Sequence, residues 1–285
     1  MNKFFLITRG RTGSTAVVDE LNKCTSLCAT QELFLAIHFS NIQNKKISKL
    51  FDLVLPVIFW KRKFQTANTP NKKYNIYYDL IAPFIRWKQA HRFWKWIPSI
   101  LNIDNIAADQ YLNEAESLAE LEGAASFGFK VLSHQLDERP FLSELLKQRA
   151  YHAIYLTRNI TRQVLSGMVA AQRGFYNTQE KFKDERRYQI DLDEFQWLVQ
   201  WEIQSVEKDI ARLKGEKFDY IVVSYEEFTS NRQAFYEKIF DFLGLPTELP
   251  PNSDWSIVIK DLRYTIANYD AVVERAAAIG MPLDI

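Results

Sequence analysis

The sequence predicts an α/β protein in which helices cover both faces of a central, mostly parallel β-sheet. Two observations support this fold class: short apolar runs alternate with segments of helical period, and 47% of the 285 residues are hydrophobic. Strands buried on both faces are continuously apolar, and a helix usually links one parallel strand to the next. We therefore expect a P-loop-like, three-layer α/β/α fold with an inserted helical segment, built by residues 1–285 as a single domain.

Four strand–helix pairs follow one another along the chain. They are residues 4–7 with 15–22, 127–132 with 141–148, 153–157 with 161–171, and 220–224 with 232–243. A longer helical period covers 193–213, where Trp197 and Trp201 stand at i and i+4 and are interpreted as packing residues. The last predicted helix covers 269–279.

Residues 38–122 break this alternation and are rich in aromatic and basic residues. One interpretation is an inserted helical subdomain with an aromatic core and a solvated basic face. The alternatives are a lid that binds the acceptor, or a patch at 60–98 that lies on a membrane surface, because aromatic residues interleaved with cations suit sugars and lipid headgroups alike. The sequence does not choose between them.

The composition narrows the class of partner. Thirty-six Lys and Arg residues balance thirty-five Asp and Glu residues to a net charge of +1, so we expect no nucleic-acid partner and only a local anion site. Cys24 and Cys28 match neither a zinc framework nor a disulfide scaffold, so we expect reduced thiols and no metal site. The apolar runs are too short for a signal peptide or a membrane span, which favours a cytoplasmic location.

The strongest motif is the first strand–loop–helix transition, FFLITRGRTGSTAVVDEL. A Gly-, Ser- and Thr-rich loop that opens a helix points backbone N–H groups, hydroxyls and the positive helix end at one spot, as a phosphate site requires. We expect Gly10 and Gly13 to supply the unusual backbone angles. The GK[ST] ending of an ATP-binding P-loop is absent, and an ordinary βα turn is the alternative. The candidate phosphate ligands are Arg9, Gly10, Arg11, Thr12, Gly13, Ser14 and Thr15.

A second strand–helix transition, YHAIYLTRNITRQVLSGMVAAQRG, supplies another candidate. Arg158 leaves the carboxyl end of the strand, and Ser166 follows about two turns into the next helix. Both side chains are expected to face the crevice at the carboxyl ends of the strands, where α/β proteins bind ligands.

Together these motifs resemble those of the sulfotransferase superfamily, in which a 5′-phosphosulfate loop follows the first strand and an Arg with a Ser eight positions later holds the 3′-phosphate. The matching residues are 11–15, Arg158 and Ser166, with further agreement in FGFK at 127–130, VVSYEEF at 222–228 and IFDFLGLP at 239–246. The resemblance is greatest to bacterial carbohydrate and glycolipid sulfotransferases. It implies a donor, 3′-phosphoadenosine 5′-phosphosulfate, a hydroxyl acceptor on a carbohydrate or glycolipid, and no metal.

The resemblance also implies individual roles. Arg11 neutralises the transferred group, and Ser14 and Thr15 hold the 5′-phosphate. Glu32, in ATQELF, takes the place of the family's general base, although Gln31 stands where a proline is usual; His134 is the rival base.

Lys130, near the end of its predicted strand, is either a substrate contact or solvated. A small-molecule kinase and a non-catalytic nucleotide- or glycan-binding protein are the alternative functions. A homodimer is the base-rate expectation for a soluble enzyme.

Overall fold

The structure is a computed structural model, and it describes residues 1–33, 103–174, 186–253 and 261–283. Within these ranges five strands form one sheet in the order β2-β3-β1-β4-β5, and the β2–β3 and β4–β5 pairs run parallel. The strands are β1 (Asn2–Thr8), β2 (Leu27–Thr30), β3 (Ser126–Leu132), β4 (His152–Thr157) and β5 (Tyr220–Ser224).

Helices connect and flank these strands. In chain order the described helices are α1 (Ser14–Leu21), α2 (Ile103–Leu121), α3 (Ser133–Glu138), α4 (Pro140–Gln148), α5 (Ile160–Arg173), α6 (Leu192–Gly215), α7 (Tyr225–Ser230), α8 (Arg232–Phe242), α9 (Leu262–Thr265) and α10 (Tyr269–Ala278). The predicted α/β class with a mostly parallel sheet is therefore confirmed.

The chain divides into two compact units, and β1 contributes residues to both. The first unit comprises Met1–Phe5 and Leu21–His152. Its strand β3 lies close to β1: a Cβ atom on Gly128 would meet the ring of Phe4 at 2.3 Å, so only glycine fits there. Helix α2 is fastened to the end of α4, because Arg149 donates to Asp109 at 2.8 Å and to Glu116 at 2.7 Å.

The second unit comprises Leu6–Glu20 and Ala153–Ile285. Its core packs α5 and α6 against the C-terminal helix α10, with Phe195, Val199 and Val272 fully buried. At the end of α1, the buried carboxylate of Glu20 accepts hydrogen bonds from Arg232 at 2.6 Å and Tyr236 at 2.8 Å, which fastens α8 to α1. This unit contains the whole first loop and, from Ala153 onward, the second strand–helix transition.

Several predictions of local structure need correction. The four-residue strand β2 and the short helices α3 and α7 were not predicted, because segments of four to six residues show too little periodicity. Trp197 and Trp201, predicted as packing residues, stack on each other but are 61% and 46% exposed, so they pack at the surface of α6.

The insertion predicted at 38–122 is described only in part. Its end, from Ile103, forms α2, which agrees with a helical segment. Residues 38–102, with the membrane-surface patch predicted at 60–98, lie outside the described residues. Within the described ranges no helix is long and apolar enough to span a bilayer. The single-domain prediction stays a prediction.

Candidate active site

The hydroxyls of Thr8 and Thr12 stabilise the first loop by hydrogen bonds to its backbone and to each other. Thr8 ends β1, and its hydroxyl donates to the carbonyl of Leu156 on β4 at 3.1 Å. The hydroxyl of Thr12 shares a short hydrogen bond with Thr8 and donates to the carbonyl of Arg9 at 3.2 Å. Thr12 is only 1% exposed, so its hydroxyl serves the loop's internal structure.

Arg11 has the unusual backbone angle of this loop. Its φ is 66°, whereas Gly10, for which that freedom was expected, is not in the left-handed region; Gly13 is, with a φ of 77°. A side chain in this region costs on the order of 1 kcal/mol, so neighbouring contacts must hold it. The carbonyl of Arg11 accepts from Arg158 Nη1 at 2.9 Å. The guanidinium of Arg11 donates to the hydroxyl of Ser166 from Nη2 at 3.2 Å and from Nε at 3.3 Å.

Helix α1 begins immediately after Gly13. Because the carbonyl of Gly13 accepts from the N–H of Ala16 at 3.0 Å, the first helical turn is set by the loop itself. Ser14 and Thr15 stand in this turn, where backbone N–H groups have no intrahelical acceptor. The loop therefore presents amide donors and the positive end of α1 to an anion.

Helix α5 begins at the second predicted site. Asn159 caps it by accepting from the N–H of Arg162 at 3.0 Å, and the N–H of Asn159 donates to Glu226 at 3.1 Å. This capping fixes the direction of α5, which carries Ser166, 6% exposed, into contact with Arg11. Arg11, Arg158 and Ser166 are thus brought together within the second unit.

Arg158 is buried, and not all of its hydrogen-bond donors have a partner within the described ranges. Its guanidinium lies over the ring of Tyr225, with 4.6 Å between Cζ and the ring centroid. Among the residues that the structure describes, its buried Nε has no hydrogen-bond partner. Burial lowers the pKa of the Arg158 guanidinium, a change that a bound anion would oppose. A buried cation with a spare donor suits an anionic ligand.

Arg9 has the opposite environment, although it also belongs to the predicted phosphate loop. Its Nε donates to Glu202 at 2.8 Å, and its Nη1 lies 3.7 Å from Asp209. Both carboxylates are buried on α6. They receive further hydrogen bonds from Gln163 at 2.7 Å and from the hydroxyl of Tyr155 at 3.1 Å. The guanidinium of Arg9 is therefore bound to carboxylates of α6.

Both candidate bases lie in the first unit. Glu32 accepts from the ammonium group of Lys130 at 2.7 Å, and the two side chains are 15% and 6% exposed. Lys130 is therefore not a solvated strand-end lysine, because it is buried within β3 and paired with a carboxylate. His134 is exposed on the short helix α3.

Sequence reasoning missed four residues that surround the candidate site. Tyr225 and Glu226 brace Arg158 and Asn159, whereas Glu202 and Asp209 bind Arg9. The motif VVSYEEF drew attention to the first pair without giving either a contact. Across the described ranges, no group of three or more His, Cys, Asp or Glu side chains is placed to hold a metal ion.

Comparisons with known proteins bear on the chemistry of these residues. A comparison with curated proteins finds no match. Among solved structures, the chain is similar to the sulfotransferase domain from the curacin biosynthetic pathway, at 13% identity and a TM-score of 0.47, covering 100% of this chain and 99% of that one. It is also similar to the sulfotransferase domain of the Synechococcus PCC 7002 olefin synthase, at 14% identity and a TM-score of 0.47, covering 99% and 96%.

A mouse sulfotransferase complexed with PAP is more distant, at 9% identity and a TM-score of 0.39, covering 87% of this chain and 60% of that one. These structural scores are too low to assign a family. The sequence itself does so, because the model of the sulfotransferase family matches residues 4–249. That match includes the first loop, Arg158, Ser166 and the Glu32–Lys130 pair, and so this chain, an enzyme of sulfuryl transfer, belongs to the sulfotransferase family.

Proposed function

We propose that the enzyme uses 3′-phosphoadenosine 5′-phosphosulfate as its donor and releases adenosine 3′,5′-bisphosphate. The observation that carries this proposal is the environment of Arg158, a buried guanidinium that has a donor to spare and lies one hydrogen bond from the first loop. A loop that suits one phosphate beside a cation that suits another matches a nucleotide with two separated phosphates. This is what distinguishes the donor from AMP or ATP.

The residues divide between the two ends of the donor. The N–H groups of Gly13, Ser14 and Thr15, with the hydroxyls of Ser14 and Thr15, hold the 5′-phosphosulfate. Arg158 and Ser166 hold the 3′-phosphate. For Arg9 and Thr12 we propose support of the loop, because Arg9 is bound to Glu202 and the hydroxyl of Thr12 is bound within the loop.

Sulfuryl transfer needs positioning and charge stabilisation more than covalent catalysis. The bond between sulfur and the bridging oxygen of the 5′-phosphate breaks while a bond forms between sulfur and the acceptor oxygen. Arg11 balances the negative charge that accumulates on the departing phosphate, since a guanidinium stays protonated and donates two hydrogen bonds at once. The products are a sulfate ester, the bisphosphate and the proton of the acceptor hydroxyl.

We propose Glu32 as the group that takes this proton. Its contact with Lys130 supports this role, because the ammonium group holds one carboxylate oxygen at 2.7 Å and so fixes the direction of the side chain. Glu32→Gln should lower kcat by about 10²–10⁴-fold and leave the affinity for adenosine 3′,5′-bisphosphate within about twofold. The matched variant is His134→Gln. Full turnover in E32Q, with loss in H134Q, would transfer the role to His134.

The acceptor proposal is a hydroxyl on a carbohydrate or glycolipid. It rests on the resemblance of residues 29–34 to bacterial enzymes of that class, in which a carboxylate follows the first helix. A panel of sugars, glycolipids and simple alcohols, assayed with labelled donor, tests it. Sulfation of alcohols with no turnover of sugars would overturn this part while leaving the donor proposal intact. The cytoplasmic location and the homodimer stay predictions.

The decisive experiment is calorimetric titration with adenosine 3′,5′-bisphosphate, AMP and ATP in the absence of magnesium. Selective binding of the bisphosphate is expected, since the 3′-phosphate adds charge-assisted hydrogen bonds that AMP lacks. A preference for ATP would favour a kinase. The absence of binding to all three would overturn the donor proposal.

A further inference from the structure

We propose that Tyr225 is a positioning residue that holds Arg158 in place for the donor's 3′-phosphate while keeping the first loop at a fixed distance. This inference rests on the proposed donor. Tyr225 is the first residue of α7 and directly follows β5. Its ring contacts the two elements assigned to opposite ends of the donor: the guanidinium of Arg158 and the backbone at Gly13.

The ring of Tyr225 supplies the aromatic contact of the Arg158 guanidinium. The ring centroid lies 4.6 Å from Cζ, and Glu226, which also binds the N–H of Asn159, acts on the guanidinium electrostatically. A cation over an aromatic face is stabilised without losing its charge to a partner. The guanidinium is therefore oriented by Tyr225 and by the Arg11 carbonyl, and its charge stays available to an anion.

The contact between Tyr225 and Gly13 determines how closely the first loop approaches the start of α7. A Cβ atom at Gly13 would lie 2.2 Å from Cε2 and 2.4 Å from Cδ2 of Tyr225. The ring thus packs against bare backbone at the residue that precedes α1. A smaller side chain at position 225 would leave both the loop and Arg158 without this contact.

The backbone places Tyr225 beside Arg158 reproducibly. Strands β4 and β5 pair in parallel with Thr157 opposite Ser224, so the residues that follow each strand are neighbours. Glu226 strengthens this arrangement by accepting from the N–H of Asn159 at 3.1 Å. The hydroxyl of Ser224 caps α7 by accepting from Glu227 at 3.1 Å, which fixes the direction in which Tyr225 leaves the strand.

The test measures discrimination between adenosine 3′,5′-bisphosphate and AMP by calorimetry. Tyr225→Leu should reduce this affinity ratio by about 3- to 30-fold, the range expected for a lost cation–aromatic contact. Tyr225→Phe keeps the ring and should retain the ratio within about twofold. Tyr220→Leu, at the opposite end of β5, removes a tyrosine that contacts neither Arg158 nor Gly13 and should also retain it.

A double-mutant cycle separates positioning from general damage to the fold. In an Arg158→Ala background, Tyr225→Leu should lower the ratio no further, because the guanidinium that it positions is gone. Tyr225→Met, with a side chain closer in volume, replaces Leu in the cycle if the Leu variant does not fold. An unchanged ratio in the folded Leu or Met variant, or an equal further loss without Arg158, overturns the inference. A wild-type protein that shows no preference for the bisphosphate overturns the proposed donor instead.

Discussion

Arg9 and Arg158 occupy matching places and have opposite surroundings. Each directly follows a strand, β1 or β4, and each lies over an aromatic ring, Trp201 or Tyr225, at 4.6 Å. Arg9 also meets two buried carboxylates on α6 in direct ion pairs, whereas Arg158 interacts electrostatically with Glu226 and keeps a buried Nε without a partner among the described residues.

The difference shows that position at a strand end does not decide whether an arginine serves the fold or a ligand. The neighbouring charges decide it. Two carboxylates neutralise Arg9, so its removal should mainly damage stability. Among the described residues, Arg158 has a buried Nε without a partner and a single nearby carboxylate, Glu226, so its removal should mainly damage binding.

The largest expected effect is on stability. Arg9→Ala leaves Glu202 and Asp209 buried without their cation and should lower the free energy of unfolding by about 3–5 kcal/mol. Arg158→Ala removes a desolvated cation and should change that free energy by less than about 1 kcal/mol. Urea unfolding followed by circular dichroism measures both. Equal losses in the two variants would contradict the distinction between these arginines.

The next largest effect is on nucleotide binding, and it concerns Arg158. Arg158→Ala should weaken binding of adenosine 3′,5′-bisphosphate by about 10- to 100-fold and leave AMP binding within about twofold, because charge-assisted hydrogen bonds to the 3′-phosphate are lost. Arg275→Ala is the matched control, since Arg275 pairs with the exposed Asp193 at 2.8 Å. An equal loss for both nucleotides would remove Arg158 from the 3′-phosphate.

Much of this arrangement follows from local sequence. Parallel strands end at one edge of a sheet, so Arg158 after β4 and Ser166 on the next helix were expected to face one crevice. The partners of Arg9 were not predictable, because Glu202 lies 193 positions away on a helix whose facing residues sequence alone does not reveal.

The contact between Tyr225 and Gly13 was hidden for the same reason. The backbone angle of Arg11 was not predicted for a different reason: a left-handed backbone is expected at glycine, and here three contacts with Arg158 and Ser166 hold an arginine in it. Local patterns thus located the strand ends, whereas the charge around each arginine is set by contacts between distant segments.

Asp209, one of the carboxylates beside Arg9, also makes the free energy of unfolding depend on pH in the alkaline range, through its contact with Tyr155. Burial and the contact with Asp209 raise the pKa of Tyr155, so the folded state keeps a proton that the unfolded state loses near pH 10. Stability should therefore fall as pH rises above about 10, by up to about 1.4 kcal/mol per pH unit for this group.

Tyr155→Phe should remove this contribution and flatten the alkaline loss, at a cost of about 1–3 kcal/mol at neutral pH because Asp209 loses a donor. Unfolding by urea between pH 8 and 11 measures it. Burial and Glu116 also raise the pKa of Tyr151, so Tyr151→Phe is the matched control: it should flatten the same loss without disturbing Arg9. An unaltered alkaline slope in Y155F would show that this tyrosine is not held protonated by its surroundings.

The smallest expected effect concerns the ring beneath Arg9. Trp201 is 46% exposed, so its contact with the Arg9 guanidinium is open to solvent, and Trp201→Ala should cost about 0.5–1 kcal/mol of unfolding free energy. Trp197 stacks on Trp201 but is 61% exposed and has no contact with Arg9 among those described, so Trp197→Ala should stay within about 0.5 kcal/mol of wild type. In an Arg9→Lys background, which keeps the charge and loses the flat guanidinium, the cost of Trp201→Ala should shrink toward that of Trp197→Ala.

An unchanged cost of Trp201→Ala in that background would show that the ring of Trp201 does not stabilise the guanidinium of Arg9. Aromatic contacts of this kind would then matter for Arg158, over Tyr225, and not for Arg9 with its two carboxylates.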